Sequence, residues 1–70
     1  MTFLELFAQA YLSPQELSIE ASVPIETIYH ARNGQAIREQ EARRIVRAVN
    51  TRLDKPVNVY DLPHSQIEWE

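Results

Sequence analysis

The hexapeptide LSPQEL, Leu12 to Leu17, is the strongest local constraint on what this chain can fold into. Ser13 suits a helix cap, and Pro14 suits the first helical position because its missing N–H would have no partner there. Glu16 follows three residues after the cap and completes a capping box. A helix therefore opens at residue 14, and Leu17 and Ala21 face inward from it. Pro24 cannot sit inside a helix but can start one, so a second short helix opens near residue 24. Asn33-Gly34 holds the only glycine of the chain and closes that helix after roughly eight residues.

The flanking segments extend the pattern. Phe3, Leu4, Phe7, Ala10 and Tyr11 fall on one stripe, which predicts a helix over about residues 2 to 11. In REQEARRIVRAVNTRL, Ala42, Ile45, Val46, Val49 and Leu53 recur at helical spacing with arginines on the other side, which predicts the longest helix, ended by Lys55 and Pro56. VNVYDL predicts a short turn capped by Asn58 that tucks Val59 and Leu62 against the core. No stretch alternates as a β-hairpin must, so the expected fold is all-α, a compact four- to five-helix bundle over residues 1–62. Residues 63–70 are expected to form a C-terminal tail, flexible or in contact with a dimer mate.

Seventy residues bury enough surface for one core only. The chain has no Cys, which excludes a disulfide framework and a thiolate metal site, fits a reducing cytoplasm, and makes a second copy a plausible source of further burial. Its apolar runs are too short to span a bilayer, and Glu5 stands where a secretory signal would carry a basic residue. The net charge is −3, but it is unevenly spread. All the basic residues (Arg32, Arg38, Arg43, Arg44, Arg47, Arg52 and Lys55) lie between positions 32 and 55, opposed there only by Glu39, Glu41 and Asp54. Screening confines surface charge effects to about 8 Å at physiological salt, so a polyanion responds to this segment more than to the total.

Two short helices joined by a turn and braced by a longer helix describe a helix-turn-helix. The places where its helices cross carry Leu17, Ser18, Ala21, Val23, Ile28 and Ala31, all small or apolar. On LSPQEL, SVPIETI, Asn33-Gly34 and EARRIVRAVN, in that order and spacing, the chain resembles the XRE-like helix-turn-helix family, of the Cro and phage-repressor type, over roughly residues 3–62. The resemblance implies a lambda-repressor-like domain that binds double-stranded DNA through the second helix of the motif. It also implies a transcriptional regulator acting as a homodimer on a palindromic operator. The chain departs from the family pattern in three places. Ser22 stands where glycine is usual, Pro14 replaces a common Gln, and no basic residue occurs late in the first helix.

At about 100° per residue, Ile25, Glu26, Tyr29, His30 and Asn33 share one face of the third helix, with Ile28 and Ala31 opposite. These five are the expected base-reading residues. In a major groove Glu26 can accept from the amino group of cytosine and Ile25 can touch a thymine methyl. Glu26 has a competing role in its own helix, since an acid in the first turn is stabilised by the macrodipole. Arg38, Arg32, Thr27 and Gln15 are the expected phosphate contacts, with the N-terminus of the longest helix as a further anion site. Arg43, Arg44 and Arg47 are read as ordinary surface residues, Arg43 pairing with Glu39.

No Gly-rich phosphate loop and no nucleophile–base pair points to an enzyme, and no cofactor, metal or small-molecule substrate is expected. The competing reading is a helix-turn-helix used for protein contact, as an antitoxin-like partner of another small protein. It is motivated by the acidic total, by Pro14, and by Ile67 and Trp69 in the tail.

Overall fold

The computed structural model describes all 70 residues. Helix α1 (Phe3–Ala10) starts in a reciprocal capping box: the Glu5 amide donates to Thr2 Oγ1 at 3.1 Å and the Thr2 amide donates to Glu5 Oε1 at 3.1 Å. Helix α2 (Pro14–Ala21) starts the same way through Ser13 and Glu16. Each ends on a non-glycine residue in the left-handed conformation, Tyr11 at φ 54° and Ser22 at φ 57°. Helix α3 (Ile25–Arg32) follows Pro24 and closes on Asn33 and Gly34, the latter at φ 84°. Helix α4 (Glu39–Asn50) is the longest.

Side chains from all four helices meet in one core, where Phe3, Leu6, Leu17, Ile28, Ile45 and Val49 are fully buried. In α1 the inward stripe is Phe3, Leu6, Phe7 and Ala10, not the stripe expected from the sequence. Leu4 points to solvent, and Tyr11 is 92% exposed because the left-handed cap turns its side chain away from the helix face. Helix α4 ends at Asn50, before the expected Lys55-Pro56 stop, and Leu53 packs against the core from the loop beyond. Asn50 explains the early end. Its amide nitrogen donates to Val57 O and its amide oxygen accepts from Val57 N, both at 2.9 Å, which draws the returning chain across the helix terminus. The turn capped by Asn58 follows as a 3-10 turn, Val59–Asp61, and Val59 and Leu62 are buried.

Two expectations are corrected. The fold is mostly helical but not all-α, because β1 (Ile37–Arg38) pairs in parallel with β2 (Ile67–Glu68), Ile37 opposite Ile67 and Arg38 opposite Glu68. Strands of two residues are too short to show alternation in a sequence, and their partners lie thirty residues apart. Residues 63–70 are likewise not a tail separate from the body. Ile67 joins the core, and buried Gln66 donates from Nε2 to the carbonyl of Ala31 at 3.1 Å, near the end of α3. Trp69 stacks on Tyr60 with ring centroids 5.3 Å apart. No helix is long and apolar enough to cross a membrane.

Candidate nucleic-acid interface

Helix α3 is held on its inner side by Thr27, Ile28 and Ala31, all buried. The turn that delivers it is fixed by its own bonds. Val23 N donates to Ser18 O at 3.2 Å, and Ser18 Oγ donates to Val23 O at 2.6 Å. Both bonds join Val23 to Ser18, so the turn is tied back to α2 two residues before α3 begins. Its outer side brings together the five residues read from the sequence. Glu26, Tyr29, His30 and Asn33 are exposed and Ile25 is half-buried. Pro24 gives α3 no side-chain cap, and Glu26 is the one acidic residue of its first turn.

The phosphate set fares less uniformly. Thr27 is corrected: it is 7% exposed, and its hydroxyl donates to Glu41 Oε2 at 2.8 Å. Glu41 also accepts from the Arg38 amide at 3.4 Å, so this carboxylate ties α3 to the start of α4 and leaves Thr27 no part in a surface contact. Arg32 is exposed, and its guanidinium lies 4.9 Å from the centroid of the Tyr29 ring. That places Arg32 and Tyr29 together at the C-terminal end of the exposed face, as their separation of three along a helix allows. Gln15 is exposed in the first turn of α2.

Arg38 is exposed and in no ion pair, but its neighbourhood is acidic, with Glu39 and Glu41 in the first turn of α4 and Glu68 opposite in β2. The Glu70 amide donates to Glu39 at 2.9 Å and Arg43 pairs with it at 2.7 Å, which together hold its carboxyl below the usual carboxylate range. Arg43 is raised in turn by Glu39 and then by the Tyr60 hydroxyl. The N-terminus of α4 as an anion site is therefore corrected, since a phosphate there would meet the side chains of Glu39 and Glu41.

Positive charge without a carboxylate partner is found elsewhere on α4. Arg43 and Arg52 are neutralised by Glu39 and Glu20, whereas Arg44 and Arg47 make no ion pair. Both line the largest surface groove, about 690 Å³, together with Ser22 at the α2–α3 turn. Arg43 has Glu39 four residues before it, while Arg44 has Gln40 and Arg47 has Arg43. Neither Arg44 nor Arg47 therefore has a helical acid to pair with at that spacing. The spacing alone does not mark the free cations, since Arg52 has Ala48 at that place and is paired with Glu20 across the fold.

The exposed face of α3, the guanidinium on Tyr29 and the basic groove behind the turn make a surface of hydrogen-bonding groups and localised positive charge on an acidic molecule. Compared with family models, with curated proteins and with solved structures, the chain finds no match.

Proposed function

We propose that the protein is a sequence-specific double-stranded DNA-binding regulator of transcription, built on a helix-turn-helix of the XRE-like type formed by α2, the turn at Ser22–Pro24, and α3. The observation that carries this reading is the division of α3. Its inner side is buried, while Glu26, Tyr29, His30 and Asn33 stand exposed on one face with hydrogen-bonding atoms toward solvent. A major groove about 12 Å wide admits one helix, and such a face is what reads base edges there. Ile25, half-buried at the first turn, supplies apolar contact for a thymine methyl.

The protein acts as a homodimer in this reading. Its longest principal dimension is 27 Å, whereas half-sites one helical turn apart are about 34 Å between centres, so one copy cannot serve both. Selection from a random duplex library, at low and at physiological salt, tests the proposal. Enrichment of a palindrome is expected, with a log-log salt slope of about −5 to −7 if roughly six to eight phosphates are contacted. A slope near zero with no enriched sequence would remove the DNA reading. Glu26→Gln is expected to change the preferred base at one position in each half-site; a change in thermal stability alone would assign Glu26 to its own helix.

A second reading, a protein-contact module, is favoured by the aromatic cluster of Tyr60, His64 and Trp69. Tyr60 is 58% exposed and lies flat against Trp69. Failure of the selection experiment would leave that reading standing.

A further inference from the structure

Two guanidiniums, those of Arg44 and Arg47, and one carboxylate, that of Glu20, line the groove between α2 and α4. Glu20 is taken by Arg52, which leaves Arg44 and Arg47 uncompensated. They are three residues apart, so they project from adjacent turns on one side of the helix. Arg44 Nη1 donates to the Ser22 carbonyl at 3.5 Å, which orients its guanidinium along the turn and leaves its remaining N–H groups free. Ser22 lines the same groove and is held left-handed at φ 57°, where glycine would be the unstrained choice. Thr51 adds no donor, because its hydroxyl proton is spent on the Ala48 carbonyl at 2.7 Å. Two unpaired forked cations lining one open groove match an oxyanion, which guanidiniums bind through paired N–H groups.

We infer that this groove is a phosphate-binding site, and that its occupant is a backbone phosphate of the DNA engaged by α3. The assignment of the occupant rests on the DNA-binding reading above. Ser22 precedes Ile25, the first residue of α3, by three positions, a span of at most about 10 Å. A phosphate held at Ser22 therefore lies within reach of the strand that borders a major groove containing α3. The contact stands in for the two positions that the sequence pointed to and the structure withdraws, Thr27 and the N-terminus of α4.

The test has two arms on the full chain. In the first, inorganic phosphate is titrated against chloride at matched ionic strength and followed by nitrogen-15 NMR. Saturable shifts are expected at the Ser22 and Val23 amides and at the Arg44 and Arg47 side chains, and these are expected to disappear in Arg47→Gln. Absence of saturation, or the same shifts in Arg47→Gln, would overturn the site. In the second arm, Arg47→Gln is expected to weaken duplex binding about equally on all sequences and to reduce the magnitude of the salt slope by about 1. Arg43→Gln, whose native partner is Glu39, is expected to leave the slope unchanged. An unaltered slope in Arg47→Gln, with phosphate still bound in the first arm, would overturn the DNA assignment while keeping the groove as a site for a free phosphorylated ligand. If the unaltered protein binds no DNA at all, the regulator reading fails on its own, and the first arm still decides the groove. Thermal melting of each variant confirms that it is folded.

Discussion

Tyr11 carries a left-handed backbone at φ 54° and buries almost nothing, being 92% exposed. An L-residue with a Cβ costs about 1 kcal/mol there, and glycine is free of that cost. Tyr11→Gly is therefore expected to raise the unfolding free energy by up to about 1 kcal/mol in denaturant titration, with no packing to lose. A clear destabilisation would mean that the ring makes a contact outside this chain. Tyr11 was not legible as a cap, because its apolar side chain completes the helical spacing begun by Phe3 and Phe7. Ser22 was legible, because the spacing of the motif demands a turn there. Thr27 failed as a surface contact for a related reason. Helical angle placed it at the edge of the exposed face, and only the approach of Glu41, fourteen residues later in the chain, decided which side of the edge it took.

The helices themselves were legible wherever a cap, a proline or a glycine marks their ends, since these act through bonds local to the chain. Sequence periodicity supplied the inward faces of α2, α3 and α4. It could not supply β1 and β2, whose two-residue pairing has no local signature. The capping box of α2 and the bonds that hold Glu39 carry a pH dependence. Glu16 accepts from the Ser13 amide, its largest influence, and its pKa is lowered below the ordinary 4.5; Glu39 is lowered by the Glu70 amide and then by Arg43. Both carboxylates are held more acidic folded than unfolded, so their contribution is fully present above about pH 4.5 and is lost as the pH falls through their folded values. Melting temperature is expected to drop between pH 6 and pH 3, and to drop less in Glu16→Gln. An equal drop in that variant would show that Glu16 has no share in the acid response.

At the scale of the whole molecule, charge totals were a poor guide and charge placement a better one. The acidic sum concealed a basic segment, and within that segment Arg43 and Arg52 are already paired while Arg44 and Arg47 are not. The sequence located the segment but not the groove, because which arginines stay free depends on where Glu20 and Ser22 come to lie against α4. The bond from Gln66 to the Ala31 carbonyl joins residues thirty-five apart. The same carbonyl accepts from the Gly34 amide at 3.2 Å, so one oxygen closes the last turn of α3 and anchors the chain's final segment. Detaching that segment strips the turn of its buried partner, and the two regions should open as one unit. In native-state hydrogen exchange, the Gly34 and Ile67 amides are expected to share one opening free energy, and Gln66→Ala is expected to lower it for both. Independent exchange of the two would show that the end of α3 frays without the segment that covers it. Coupled exchange would mean that the rigidity of α3 is set from the far end of the chain.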